Sequence, residues 1–502
     1  MALLLFVLFP VGVVLMPSAS AKTTDVSARL TLERIFASPD LAGAQPRGVQ
    51  ISPDGRFVTL LRNRADDRDR YDLWAIDTTN GTEQMLVDSR KIGSGAELSE
   101  AEKMQRERAR IGGTRGIVSY SWAADGKHIL VPIDGNLFLA DLSGNAVRLT
   151  NSPQGELNPT VSPKGAYLSF VRDGNLFVTT IADRKERQVT QGASETVNWG
   201  VAEFVAQEEM DRSTGHWWAP DDAHIAVARV DESGVGIVNR AAIGAEGTKI
   251  YPQRYPAAGT PNAVVELYVI KPHGSGRVKV DLGPNSDIYL ARVNWSPDGK
   301  LLYVQRESRD QKRLDLLRVD PATGAAQVVL SETARTWINL SNVFRVLKDG
   351  SLLWWSERSG HGHLYRVKEG QWTALTSGAW EVGDVIGLDE AAGRVFFTGN
   401  RETPLEQHVY SAPLDGSGTI NRLSEAGWWN SAVMDGKASR IIISRSNSDQ
   451  PAQVYLADTD GKRLRWLSEN RMEGTHPYAP YLAAHVPARF GMIAAGDGTA
   501  LH

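Results

Sequence analysis

The sequence has no cysteine among its 502 residues. Without a thiol the chain can form no disulfide, no thiolate metal site and no cysteine nucleophile. It also lacks an excess of charge of one sign, because 55 Lys and Arg stand against 59 Asp and Glu. The net charge of −4 gives no electrostatic reason to bind nucleic acid or an anionic membrane surface, so neither is an expected partner.

Signals for catalysis are absent as well. The nucleophile elbow G-x-S-x-G occurs nowhere in the sequence, and no order of Ser, His and Asp stands out as a triad. His361 and His363 alternate, so on a strand both would point to one side, but no third zinc ligand lies nearby. We therefore predict no catalytic residue, no cofactor and no metal site in this chain.

The composition is that of a globular protein. Hydrophobic residues make up 42% of the chain and charged residues 23%, which excludes a disordered or fibrous protein and allows a large core. The length exceeds that of one typical domain. Two or more domains, or one large repeat architecture, are therefore expected.

The N-terminus carries a targeting signal. An apolar run at residues 3–16 is followed by the small-residue triplet Ala19-Ser20-Ala21. This pattern is typical of a secretory signal peptide, which we assign to residues 1–21, with an N-terminal membrane anchor as the alternative. Export of a chain without cysteines favours the bacterial periplasm or secretion to the cell surface.

The C-terminal residues 485–502 stop just after an alternating strand and an Asp497-Gly498 turn. A domain rarely ends where a strand leaves a turn, because the strand edge would remain unpaired. We therefore expect residues 485–502 to be the start of a linker into a further domain, and the sequence to be a fragment.

A turn of the Ser-Pro-Asp-Gly type followed by an alternating or β-branched strand recurs along the chain. Proline presets φ, aspartate bonds its own backbone and glycine accepts the left-handed position, so each copy reverses the chain between two strands. Second strands match too: residues 135–139 and 174–178 are alike and lie 39 positions apart. The copies begin at Ser52, Ala124, Ser162, Ala219, Ser296, Lys348, Glu390 and Met434.

Repeats of about 40 residues with about four short strands each are the signature of a β-propeller. We predict an all-β, eight-bladed propeller over residues 22–484. Seven blades are the alternative, because the copy at Glu390 is poor, and a pair of β-sandwiches is a weaker one.

Two insertions interrupt the strand pattern. Residues 98–113 carry Ser99 and Glu102 at capping-box spacing and end in Gly112-Gly113, which predicts a short amphipathic helix. Residues 198–212 form a second, brief helix-compatible insertion. Insertions in repeat proteins gather on one rim and often form the binding face.

The second insertion holds the adjacent residues Glu208 and Glu209. Two neighbouring carboxylates can converge on one cation such as an amine. The alternative is a solvated helix face, with Arg212 as the partner of Glu208 four positions later. Arg106 lies on the first insertion, four positions before Arg110, an arrangement that is also common on a solvated helix.

Several segments together resemble the dipeptidyl peptidase IV family, in particular its bacterial branch. Residues 202–210, 217–221 and 227–233 resemble its double-glutamate segment, residues 255–262 its Y-P-x-A-G-x-x-N motif, and residues 495–502 its junction into an α/β-hydrolase domain. The resemblance runs from about Leu30 to the last residue. Such proteins are prolyl-oligopeptidase-type serine exopeptidases, in which an eight-bladed propeller caps a hydrolase that removes N-terminal dipeptides with Pro or Ala second.

The resemblance implies that Glu208 and Glu209 bind the free α-ammonium of a peptide substrate, and that Arg106 lies on the carbonyl side of that substrate. It also implies a homodimer when the protein is full length. The family's catalytic Ser, Asp and His belong to the hydrolase domain, so none can be assigned here. The competing interpretation is a stand-alone periplasmic propeller that acts as a peptide-binding or scaffolding module.

Overall fold

A computed structural model describes residues 29–502 except 96, 99–102, 104, 105, 108–110, 112, 153 and 246. Its main element is an antiparallel sheet of four strands, which occurs eight times and is built from consecutive strands in every blade but the fourth. The strands of the first four blades are β1 Arg47–Ile51, β2 Phe57–Asn63, β3 Arg70–Asp77 and β4 Glu83–Val87, with β5 Arg115–Gly116 beside β3; β6 Ser121–Trp122, β7 His128–Ile133, β8 Asn136–Asp141 and β9 Ala146–Arg148; β10 Leu157–Val161, β11 Tyr167–Arg172, β12 Asn175–Thr180 and β13 Glu186–Gln188; and β14 Val197–Trp199, β15 His216–Trp218, β16 Ile225–Asp231, β17 Ile237–Gly244, β18 Gly247–Arg254, β19 Val264–Ile270 and β20 Val278–Lys279.

The strands of the remaining blades are β21 Ile288–Trp295, β22 Leu302–Ser308, β23 Arg313–Val319 and β24 Ala326–Thr333; β25 Arg345–Val346, β26 Leu352–Ser356, β27 His363–Lys368 and β28 Gln371–Ala374; β29 Val382–Asp389, β30 Arg394–Gly399, β31 His408–Pro413 and β32 Asn421–Arg422; and β33 Trp429–Met434, β34 Ile441–Asn447, β35 Gln450–Ala457 and β36 Arg463–Ser468. The prediction of an eight-bladed, all-β propeller with short helical insertions is confirmed. The weak copy at Glu390 is the β29–β30 turn of a complete seventh blade.

The repeated turns form as their residues predict. Ser52 donates its hydroxyl to Asp54 at 2.6 Å, and the same carboxylate accepts the backbone N–H of Arg56. Gly55 has a φ of 77°, the left-handed region in which a side chain would be strained. Local hydrogen bonding therefore reverses the chain between the first two strands of the blade.

Side-chain packing closes the ring between blades one and eight. Val58 and Leu60 of blade one pack in one buried cluster with Ile442 and Leu456 of blade eight. Within the part of the chain that the structure describes, each blade is built from its own strands and none is exchanged between the two ends of the ring.

The fourth blade departs from the pattern. Its sheet has the order β14-β16-β19-β20, with β15 paired to β16 as an additional strand. Between β14 and β15 lies the helix Phe204–Glu208, and the hairpin β17–β18 leaves the sheet between β16 and β19. The helix-compatible insertion predicted over residues 198–212 is therefore only partly helical, because Asn198 and Trp199 belong to β14.

Residues 29–44 and Arg471–Arg489 form a separate compact unit. This unit holds the short helix Leu32–Phe36, capped by the Thr31 hydroxyl, and the 3-10 helix Ala479–Ala484. Elsewhere in the chain lie the helix Ser89–Ile92 and the hairpin of β37 Ile493–Ala494 and β38 Ala500–Leu501. None of the helices described has the length and apolar character of a membrane span.

Two predicted features, a signal peptide and a helix, lie wholly or mostly outside the described residues. The signal peptide assigned to residues 1–21 lies outside the described residues. Most of the predicted helix over residues 98–113 does so as well, although residues 103, 106 and 107 are helical.

In chain order we name the helices α1 Leu32–Phe36, α2 Ser89–Ile92 and α3 Phe204–Glu208.

Candidate functional site

The site is built around α3, which is too short to be stable by itself. Isolated helices shorter than about 12 residues are marginal in water, and α3 has five. Its N-cap, Glu203, makes no side-chain capping bond. Packing holds the helix instead: Ala206 and Met210 are buried against Tyr289 of the fifth blade.

A buried ion pair joins the two ends of the insertion. The Nη2 of Arg212 donates to Oε2 of Glu203 at 3.1 Å, and the two side chains are only 4% and 1% exposed. Arg212 also donates from Nη1 to the carbonyl of Thr214 at 2.8 Å. Burial lowers the pKa of Arg212, an effect that the adjacent Glu203 opposes. The solvated-face alternative names Arg212 as the helix partner of Glu208, and this partner is wrong, because α3 ends at Glu208 and Arg212 turns back to Glu203.

Glu208 and Glu209 lie at the end of α3, inside the loop that this ion pair closes. Glu208 is the last helical residue, and Glu209 follows as the C-cap with its N–H bonded to the carbonyl of Val205 at 2.8 Å. Both side chains are exposed. Two carboxylates on a fixed segment provide a local negative potential that can bind a cation such as an ammonium group.

An aromatic contact connects α3 to the segment after the β17–β18 hairpin. The ring of Tyr255 stands edge-on against the ring of Phe204, with 5.2 Å between centroids and 72° between planes. The following carbonyl, that of Pro256, accepts a hydrogen bond from Arg309 at 3.2 Å. The Y-P-x-A-G-x-x-N motif therefore contacts α3 directly, a relationship that the sequence alone does not reveal.

Arg106 is half-buried and donates from Nη1 to the carbonyl of Thr114 at 3.5 Å. Its neighbour Glu107 lies 3.7 Å from Nη1 of Arg240 on β17. The first insertion therefore reaches the hairpin that leads to Tyr255. The first insertion contacts the hairpin, and the second contacts the segment directly after it. The role predicted for Arg106 stays a prediction.

A buried carboxyl group lies close to the same region. Glu307 on β22 is 1% exposed and pairs in the sheet with Tyr289, which packs on α3. Burial raises the pKa of Glu307 to about 7, and the positive charge of Arg292 opposes the rise. This carboxyl group therefore changes its charge near neutral pH.

A cavity of about 600 Å³ adjoins α3 between the third and fourth blades. Phe204 and Gln207 line it from the helix, and Arg172 and Arg254 line it from the third blade and the hairpin. Arg172 already pairs with Glu156 at 2.8 Å. The cavity therefore has both charged and apolar walls and adjoins the face of the insertion that carries Phe204.

The two histidines with alternating spacing do not face a common metal position. His363 is fully buried, and its nitrogens contact the Thr376 hydroxyl at 3.0 Å and the Gly378 carbonyl at 2.9 Å. His361 is half-buried and pairs with Glu381 at 2.7 Å. Both ring nitrogens of His363 are thus engaged within the sixth blade.

This protein is an eight-bladed β-propeller whose fourth blade presents two carboxylates at the end of a short helix. The family profile of the dipeptidyl peptidase IV (DPP IV) N-terminal region matches residues 119–452, and the chain belongs to this family.

Comparison with known proteins agrees with that assignment. The chain is 26% identical to human dipeptidyl peptidase 8 over 454 residues, which cover 71% of this chain and 50% of that protein. Mouse dipeptidyl peptidase 8 is 26% identical over 453 residues, with 71% and 51% covered. The crystal structure of Porphyromonas gingivalis dipeptidyl peptidase 4 superposes with a TM-score of 0.78 at 23% identity, over 94% of this chain and 66% of that chain. The chain thus spans about half the length of the curated relatives it matches.

Proposed function

We propose that this chain is the propeller portion of a serine exopeptidase that releases N-terminal X-Pro or X-Ala dipeptides, and that it gates substrates and binds their free N-terminus. Its site residues are Glu208 and Glu209 for the α-ammonium group and Arg106 for the carbonyl side. The observation that carries the proposal is the pair of exposed carboxylates on α3, in a propeller whose curated relatives are named dipeptidyl peptidases.

Charge is the basis of recognition at this site. A peptide α-amine has a pKa near 8, so it is protonated at neutral pH and needs a negative partner when it leaves water. An acetylated N-terminus has no such charge and gains nothing from the two carboxylates. The site therefore distinguishes free from blocked peptides.

We also propose that the protein is exported and that two copies associate. Every residue of β17 is exposed, including Ile237 and Ile243, and Ile250 of β18, which pairs with Ala241, is exposed as well. A two-stranded hairpin is marginally stable alone, and apolar residues clustered on it favour contact with a partner. The hairpin is one candidate contact of a homodimer.

The alternative function is that of a stand-alone peptide-binding or scaffolding module. It shares the binding site and differs in lacking any connection to hydrolysis. The two functions are separated by the gene downstream of residue 502: a continuing reading frame that encodes an α/β-hydrolase supports the exopeptidase, and a stop codon supports the module.

Isothermal titration calorimetry of the 502-residue chain tests the binding function. A peptide beginning Ala-Pro is titrated in two forms, with a free and with an acetylated N-terminus, at pH 7 and at pH 9.5. We expect tighter binding of the free form at pH 7 and a weaker preference at pH 9.5, where the amine is uncharged. Equal affinities at pH 7 contradict the proposal.

A further inference from the structure

We infer that the buried Glu203–Arg212 pair is a positioning clasp that fixes the orientation of Glu208 and Glu209, and so sets how strongly the site prefers a free N-terminus. The inference rests on the proposed function. It assigns Glu203 and Arg212 no contact with a substrate.

The contacts of Arg212 bind three points of the insertion together. Its guanidinium donates to Glu203, which precedes α3, and to the carbonyl of Thr214, which precedes β15. Its backbone N–H donates to the carbonyl of Ala206 inside α3 at 3.0 Å. The guanidinium also lies 5.8 Å from the ring centre of Trp217. The loop that carries the two exposed carboxylates is therefore anchored on both sides by one side chain.

Stability alone does not account for this pair. A buried ion pair pays a large desolvation cost, and its replacement by apolar residues is often neutral or stabilising. Oε1 of Glu203 and Nε of Arg212 are buried without a hydrogen-bond partner among the described residues, which adds to that cost. The pair instead supplies a fixed orientation, because the planar guanidinium sets the angle between its two acceptors, Glu203 and the carbonyl of Thr214.

The helix α3 cannot by itself fix the orientation of Glu208 and Glu209, so contacts outside the helix must do so. Five residues without a side-chain cap give little intrinsic rigidity. An ammonium group bound by two carboxylates needs both within about 3 Å at the same time, so a loop that samples other orientations binds more weakly.

The test uses the full 502-residue chain in five forms: wild type, Arg212→Lys, Arg212→Met, the double apolar variant Glu203→Met with Arg212→Met, and the control Arg64→Met. The control breaks another ion pair in the first blade, in which the half-buried Arg64 donates to the buried Asp72 at 3.0 Å. Two quantities are measured for each: amide hydrogen exchange of residues 204–211, and the affinity ratio between free and acetylated Ala-Pro peptides.

We expect Arg212→Met to speed exchange of residues 204–211 at least tenfold and to lower the affinity ratio at least fivefold. Arg212→Lys keeps the charge but loses the planar guanidinium group, and it should lower the affinity ratio by less than Arg212→Met does. The double apolar variant recovers thermal stability relative to Arg212→Met while its ratio stays low. Arg64→Met lowers stability and leaves both quantities at the wild-type value.

Exchange and affinity ratio that stay within twofold of wild type in Arg212→Met overturn the inference. So does a double variant that recovers the ratio together with stability, since the role is then merely structural. A wild-type chain without preference for the free peptide contradicts the proposed function and the clasp's part in it, and the exchange rates then decide separately whether the pair holds residues 204–211.

Discussion

The ring of Tyr255 contacts the ring of Phe204 edge-on at 5.2 Å, so the segment after the β17–β18 hairpin buttresses the first residue of α3. Edge-to-face aromatic pairs contribute about 0.5–1.5 kcal/mol beyond the area they bury. We expect Tyr255→Ala to lower the affinity for a free Ala-Pro peptide about three- to tenfold, because α3 loses a lateral support. Tyr255→Phe keeps the ring and should bind like wild type.

Calorimetric titration of the two variants checks this expectation. If Tyr255→Phe weakens binding as much as Tyr255→Ala does, the hydroxyl group matters rather than the ring. The contact between the rings of Tyr255 and Phe204 then does not support peptide binding.

The buried carboxyl group of Glu307 predicts a pH dependence of stability. The pKa of Glu307 is raised by burial from 4.5 to about 7. The folded chain therefore holds a proton that the unfolded chain has lost between these pH values, and the free energy of unfolding falls as the pH rises through this range. Ionising Glu307 costs the folded state roughly 3 kcal/mol.

Glu307→Gln removes this titration and serves as the test. We expect its stability relative to wild type to increase between pH 4.5 and pH 8, by up to about 3 kcal/mol in urea unfolding. Glu369→Gln, an exposed change in the β27–β28 turn, should show no such increase. A constant difference between Glu307→Gln and wild type over this range would show that Glu307 does not titrate as described.

The sequence predicts the features that local chemistry decides. Turn residues such as Ser52 and Asp54 bond within their own turn, so the eight repeats and the class of fold can be read from the sequence. The partner of Arg212 cannot be read in this way, because the helix stops at Glu208 and the i, i+4 relationship does not exist. The contact between Phe204 and Tyr255 joins positions far apart in the chain, and no local pattern encodes it.

The β17–β18 hairpin shows the same limit. Residues such as Ile237 and Val238 belong to a strand like any blade strand in composition, yet both are exposed. Only the position of the hairpin outside the sheet of the fourth blade reveals this.

Catalysis is predicted to be absent from the 502-residue chain. The sequence offers no nucleophile elbow, and acyl transfer needs a nucleophile and its base within hydrogen-bond reach. We expect no dipeptide release from a Gly-Pro chromogenic substrate. Turnover that persists after complete removal of host peptidases, and that copurifies with the chain, would contradict this prediction.

Association of the 502-residue chain is expected to be weak. Stable protein interfaces bury about 1,600 Å² in total and use about 20–30 residues of each partner. The strands β17 and β18 have only 8 residues each. Sedimentation velocity should show monomers at nanomolar concentration and reversible dimers at high concentration, which Ile243→Asp abolishes. A tight dimer at nanomolar concentration, or one that Ile243→Asp leaves intact, contradicts the proposed hairpin contact.

The central claim is that Glu208 and Glu209 bind the N-terminal ammonium group of a peptide. The direct test is the affinity ratio between free and N-acetylated Ala-Pro peptides in wild type, Glu208→Gln, Glu209→Gln and the control Glu369→Gln. We expect a wild-type ratio of about 30, equivalent to about 2 kcal/mol, since a desolvated charge pair contributes roughly this much. Each site variant should reduce the ratio to about 5 or less, the range of an exposed ion pair. Glu369→Gln should keep the wild-type ratio. A ratio that stays within twofold of wild type in both site variants would show that these carboxylates do not bind the N-terminus.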